Sequence, residues 1–225
     1  MLEYHCGRPP GAIPDGLLKI GNWVVGRQSV FGRDVRIADV GFSKEVWVRY
    51  GDLEFAYAEP IAEAIAHLPS FRTWMLSRTI FSASAETSRV LVEEMRAKRG
   101  KSAQTWWRSH YTERCRCNGC SGQETDILTV FEDAAGERFA IHFEVKQPTD
   151  RFPSGKDQAA NYRQRAACWT TKPPPAVVPH HHAATGLLYS ARREQDYLPN
   201  LSKFDFAVTF EEIRQSFPMI ALPDD

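Results

Sequence analysis

Two apolar runs separated by a glycine turn, ETDILTVFEDAAGERFAIHFEVKQP over residues 124–148, carry ionisable groups at their outer edges: Asp126 near the start, Glu144 and Lys146 near the end. Charged groups are costly to take out of water, so their place beside segments that read as buried strands calls for a chemical reason. Side chains alternate along a strand, which puts Glu144 and Lys146 on one face and Phe143 and Val145 on the other. A hairpin folded at residues 134–136 sets the start of the first strand next to the end of the second, so Asp126 meets Glu144 and Lys146 at one sheet edge. Two carboxylates with an ammonium beside them suit a hard divalent cation. Mg²⁺ takes oxygen ligands, keeps several waters, and needs only one or two carboxylates when a substrate phosphate completes its shell. Mg²⁺ or Mn²⁺ on Asp126 and Glu144 would polarise a phosphoryl oxygen and acidify the attacking water. Lys146 would orient or help deprotonate that water and offset the charge of the transition state. A Glu-x-Lys alone is far more often a solvated strand face; the partner Asp126, the apolar setting and the flanking helices carry the chemical reading.

The order of elements that must position these groups is helix, strand, strand, strand, helix, strand, strand, helix from residue 82 onward. Residues 82–99 read as one helix stopped by Gly100, and AQTWWRSHYTE as a strand. The hairpin follows, then KDQAANYRQRAACW as a helix. The prolines of TTKPPPAVVPHHHAA demand a loop; TGLLYS and FDFAVTF are short strands, and FEEIRQSF a last helix. A hairpin followed by a crossover helix predicts an α/β fold with a mixed sheet flanked by helices. Ahead of it, LLKIGNWVVG, DVRIADVGF and EVWVRY predict short strands, residues 52–67 a helix interrupted or restarted at Pro60, and residues 69–77 a further helix. Residues 1–80 therefore read as a β-rich accessory region and residues 81–225 as the core.

With this order in place, Asp126 followed by Glu144-Val145-Lys146 resembles the PD-(D/E)XK, or restriction-endonuclease-like, nuclease superfamily, over about residues 82–217. Thr125 stands where the name-giving proline would be. The resemblance implies a restriction-endonuclease-like core and a Mg²⁺- or Mn²⁺-dependent nuclease acting on DNA, with the Val145 carbonyl joining Asp126 and Glu144 around the metal. It also implies a third acid from the helix before the sheet. Glu86, Glu93 and Glu94 are the candidates; Glu86 is preferred, although an acid in a helix's first turn is favoured by the macrodipole alone. Gln158 and Tyr162, four apart on one helix face, resemble the Q-x-x-x-Y element of the exonuclease-like branch, which supports the site and contacts nucleic acid. Gln147 points near the metal or ends the strand. Roles in restriction or defence, mobile-element processing and DNA repair all fit.

Other residues admit two accounts. Arg151, Lys156, Arg163, Arg165, Arg192 and Arg193 suit backbone phosphates or an incidental surface. Trp106, Trp107 and Trp169 suit base stacking or, more often, packing. His110, Cys115, Cys117 and Cys120 have the ligand types for a structural Zn²⁺, with Cys117 and Cys120 as a C-x-x-C half-site, or form a reduced loop. His180, His181 and His182 read as a solvated loop, and His142 as support for Glu144 or as packing. The rival function is a catalytically inactive nucleic-acid-binding module of the same fold, its cysteine loop holding zinc.

Composition sets the outer bounds. The 225 residues suffice for one large domain with an extension, and 28 basic against 28 acidic residues leave no global field to steer a polyanion, so DNA would need a local basic surface. No apolar run approaches the roughly 20 residues that span a bilayer, and no signal peptide is visible, so no membrane partner is expected. Five cysteines, an odd number, predict a reducing cytoplasm rather than a disulfide framework. A homodimer or larger complex stays open.

Overall fold

The computed structural model describes residues 17–19, 47–111, 124–153 and 157–223. The chain divides into two compact units, Met1–Leu53 and Glu54–Asp225. In the first, β1 (Leu17–Lys19) and β2 (Trp47–Arg49) pair antiparallel, Leu17 opposite Arg49. The boundary falls well before residue 80, so the helices expected in the accessory region belong largely to the second unit.

That unit begins within α1 (Tyr50–His67), which runs unbroken through Pro60 instead of restarting there. Proline removes one i→i−4 hydrogen bond. The buried stripe of Tyr57, Ala58, Ile61, Ala62 and Ile65 lies on both sides of it, and packing of an apolar face outweighs one lost bond. Then comes α2 (Pro69–Leu76), its proline in the first turn where no partner is needed. The aromatic rings of these helices meet those at the chain's end: Tyr57 stacks on Phe210 at 4.4 Å, and Phe71 meets Phe217 edge-on at 5.0 Å.

Residues 82–99 correct the expectation of a single helix. They form a 3₁₀ turn (Ser82–Ser84), the short strand β3 (Arg89–Val90) and only then α3 (Val92–Arg99). Serine hydroxyls compete with the helical ladder here: Ser88 Oγ donates to the Ser84 carbonyl at 2.5 Å, and Ser84 Oγ to Asp133 at 3.0 Å. Arg89 pairs with Glu132 both in the ladder and through a 2.6 Å ion pair, which fixes β3 on the sheet. A second 3₁₀ segment (Gly100–Thr105) leads to β4 (Arg108–Tyr111).

The predicted hairpin is present as β5 (Glu124–Glu132) and β6 (Arg138–Lys146), paired antiparallel from Ile127 opposite Phe143 to Glu132 opposite Arg138. Its turn is built by Asp133, whose carboxylate accepts from the backbone of Ala135 and Glu137, and by Gly136 at φ 81°. Helix α4 (Gln158–Thr171) crosses to β7 (His182–Tyr189), which lies parallel to β6. After a 3₁₀ turn (Ala191–Arg193), α5 (Glu194–Leu201) crosses to β8 (Phe206–Thr209), parallel to β7, and α6 (Phe210–Ser216) follows at once. The result is an α/β fold: a mixed six-stranded sheet of order β3-β5-β6-β7-β8, with β4 also on β5, flanked by helices. Glu144, Lys146 and His142 share one sheet face, and α4 covers it, Trp169 meeting His142 at 4.9 Å.

Gly186 in β7 shows how closely the opposite face is packed. A Cβ there would lie 2.7 Å from Phe206 Cζ and 2.9 Å from Phe143 Cδ1. Phe143 is fully buried and cannot retreat. Gly186→Ala is therefore expected to lose about 1–3 kcal/mol in a urea titration; an unchanged midpoint would show that the two rings have room to move.

Candidate active site

The parallel strands β6, β7 and β8 end level with one another, Lys146 opposite Tyr189 and Tyr189 opposite Thr209. Open α/β sheets offer binding crevices beyond such carboxyl ends. The ladder between β5 and β6 stops at Ile127–Phe143, so Asp126 lies one step beyond it, at the same end. There its carboxylate Oδ2 accepts from the Val145 N–H at 2.7 Å. Val145 sits between Glu144 and Lys146, so this bond draws together the three groups that the sequence pattern singled out.

All three are buried: Asp126 is 7 % exposed, Glu144 1 % and Lys146 6 %. Lys146 Nζ forms an ion pair with Glu144 Oε1 and lies 5.0 Å from the centre of the Phe152 ring. Glu144 Oε2 is buried with no hydrogen-bond partner among the described residues. Desolvation pushes the Asp126 carboxyl well above its ordinary range, and Glu144 and then Glu54 push it further, against the Val145 N–H and Lys146. For Lys146, burial alone would lower the ammonium's pKa. The Glu144 carboxylate, followed by Asp126 and Asp150, outweighs burial and holds it above its usual value. Lys146 is thus a firmly protonated cation among acids.

Glu86 does not stand with Asp126, Glu144 and Lys146. It is exposed in the turn after the first 3₁₀ segment, not on a helix. Ser84, two residues before it, bonds Asp133 at the turn end of β5, about 23 Å from Asp126 at the usual strand rise. Glu93 and Glu94 lie on α3, where they pair with Arg96 and Arg138. The α1 acid whose charge bears on Asp126 and Glu144 is Glu54. Burial first, then Glu124, Glu144 and Asp150, raise its carboxyl to about 7 in spite of Arg108. Asp150, 3 % exposed, is the other acid missing from the sequence reading. A tight turn holds it: its N–H donates to the Gln147 carbonyl at 2.9 Å, Gln147 Nε2 donates to its Oδ1 at 3.2 Å, and Tyr197 donates to its carbonyl at 2.7 Å.

A raised carboxyl has a definite consequence for stability. The folded state holds the Glu54 proton more tightly than the unfolded chain does, so this contribution is complete below pH 4.5 and is lost as pH rises to about 7. Glu54→Gln removes the loss. Relative to wild type, the variant is expected to gain stability between about pH 5 and about pH 8 in paired urea titrations without divalent cation; parallel pH profiles would place Glu54 in ordinary solvent.

Gln158 and Tyr162 stand in the first two turns of α4. The Tyr162 hydroxyl accepts from the Asp126 N–H at 3.3 Å, and burial, then the Asp126 and Glu144 carboxylates, hold the phenol well above its ordinary pKa. Gln158 Oε1 and Gln147 Oε1 are buried and lack hydrogen-bond partners among the described residues. Arg165, counted from sequence among phosphate-binding surface cations, is instead wholly buried. Arg163 and Arg193 are held by Asp205 and Asp196, while Arg151 and Arg192 are exposed; Lys156 lies outside the described residues. Trp106, Trp107 and Trp169 are core residues, unable to stack on bases. His180 is buried, its Nδ1 2.9 Å from the Val178 carbonyl, and His182 opens β7, so the expected solvated loop holds for His181 only. Cys115, Cys117 and Cys120 lie outside the described residues, and of His110 only the backbone, in β4, is described.

Among the described residues, no three His, Cys, Asp or Glu side chains form a ready-made metal cluster. Mg²⁺ needs less than that, since waters and substrate oxygens complete its shell. The buried, unpartnered Glu144 Oε2 and the raised Asp126 and Glu54 carboxyls describe acids short of positive charge, which is the donor set a hard cation satisfies. Among the described residues, no helix is long and apolar enough to cross a membrane. In comparisons with known proteins, no family model, no curated protein and no solved structure matches this chain.

Proposed function

We propose that the chain is a Mg²⁺- or Mn²⁺-dependent nuclease hydrolysing phosphodiester bonds of DNA, with a restriction-endonuclease-like core of the PD-(D/E)XK kind. The observation that carries this reading is the 2.7 Å bond from the Val145 N–H to the Asp126 carboxylate, which joins the start of β5 to the Glu144–Lys146 end of β6. Asp126 and Glu144 would hold the cation, with Glu54 adding negative charge that bears on both. When bound, the ion supplies Lewis-acid polarisation of the phosphoryl oxygen and a more acidic attacking water.

The chain's own groups do the rest. Lys146, held as a cation by its acidic neighbours, would orient the water and meet charge as it develops on the phosphoryl oxygens. Tyr162 steadies the Asp126 backbone, and Gln158 presents an amide oxygen as acceptor. Arg151 and Arg192, exposed in the segments after β6 and β7, would meet backbone phosphates.

The test is incubation of supercoiled plasmid and of linear duplex with the full chain in Mg²⁺, in Mn²⁺ and in chelator. Cation-dependent cleavage supports the reading. DNA binding without cleavage in either cation supports the inactive binding module instead.

A further inference from the structure

Arg165 is 0 % exposed, and a guanidinium so far from water must be satisfied by specific partners. Its Nε donates to Thr125 Oγ1 at 2.9 Å and its Nη2 to the Glu124 carbonyl at 2.7 Å. Its plane lies over the Tyr162 ring, 4.2 Å from the centroid. These contacts converge on one short piece of chain. Glu124 and Thr125 immediately precede Asp126, and Tyr162 accepts the Asp126 N–H. Because the β5–β6 ladder ends at Ile127, the position of Asp126 is not set from the β6 side by strand pairing. On the other side β4 pairs with Glu124 and Thr125, and from α4 the fork of Arg165 grips the same two residues.

We propose that Arg165 is a positioning residue for the acid site: by clamping residues 124 and 125 and bracing Tyr162, it sets where the Asp126 carboxylate stands. This rests on the cation-holding role proposed above and goes beyond it. It gives the basic residue following the Gln158–Tyr162 pair a task in cation affinity rather than in contact with nucleic acid. The planar fork matters, since two donors at a fixed angle fix a backbone segment where a flexible ammonium would not.

The test is calorimetric titration of Mn²⁺ into the full-length chain, for wild type, Arg165→Met, Thr125→Val and Ala166→Gly. Ala166 is buried on the same helix and its methyl group cannot hydrogen-bond, so Ala166→Gly reports what loosening α4 does by itself. Arg165→Met is expected to weaken Mn²⁺ binding about tenfold or more. Thr125→Val, which keeps the shape and removes one bond, should weaken it about threefold. Ala166→Gly should lower the melting temperature while holding wild-type affinity. Wild-type affinity in Arg165→Met overturns the inference, as does equal weakening in Ala166→Gly. If Arg165→Met does not fold, Thr125→Val decides in the same way. A wild-type chain that takes up no Mn²⁺ overturns the cation site and this inference together, and is distinguished by that first titration.

Discussion

Asp126→Asn is expected to abolish cation-dependent DNA cleavage while leaving the melting temperature of the cation-free protein unchanged or higher. The two halves have one cause. Asp126 is ionised only against desolvation and the neighbouring Glu144 and Glu54 carboxylates. Its folded-state pKa lies above the unfolded value, so its contribution to stability falls as pH climbs past the ordinary carboxyl range. Asparagine removes that repulsion, and its carbonyl oxygen can still accept the Val145 N–H that aspartate binds at 2.7 Å. What it cannot do is ligate a hard cation with a full negative charge. Groups that merely support ligands cost about 10–100-fold when removed, so loss of a ligand should exceed that. Melting curves with and without Mg²⁺, beside a cleavage assay, test both halves. A large fall in the cation-free melting temperature would mean that Asp126 is a structural acid.

Lys146→Met should behave in the opposite sense. Removing one partner of a buried pair strands the other charge, so the cation-free variant is expected to be about 3–5 kcal/mol less stable than wild type. Added Mg²⁺ should return part of that loss, because the stranded Glu144 then faces a positive charge again. Cleavage should fall about 10²–10³-fold with DNA binding retained, since the lost ammonium acts mainly on charge that develops in the transition state. Chemical denaturation in chelator and in Mg²⁺ checks the stability half. Equal stability in both media, with cleavage intact, would leave the lysine no role at the site.

The hairpin was legible because two signals agreed: an apolar run on each side of a turn, and a glycine where the backbone needs positive φ. Once β5 and β6 were placed, the meeting of Asp126 with Glu144 and Lys146 followed from strand geometry alone. Helix α4 was equally visible. Residues 82–91 misled because their composition allows a helix, while the deciding interactions, Ser84 with Asp133 and Arg89 with Glu132, lie far along the chain. Glu54 was missed for the same reason. The resemblance asked for an acid from a helix ahead of the sheet, and which helix brings a carboxylate near Asp126 and Glu144 depends on tertiary placement that no local pattern encodes. Asp150 enters through a turn of its own making, and α5 escaped because it buries chiefly Tyr197 and contains Pro199. Arg165 looks like any surface arginine until its helix face is known to point inward.

The junction of β8 and α6 has a consequence for how the sheet's outer margin behaves. Thr209 is at once the last residue of the strand and the cap of the helix, its hydroxyl and backbone closing a reciprocal pair with Glu212. No slack separates the two elements. A shift of β8 by one place along β7 would turn its inward residues outward, and it would also pull the threonine off the helix end and open that pair. The β8 margin of the sheet is therefore locked in frame by a helix start, which discourages sliding.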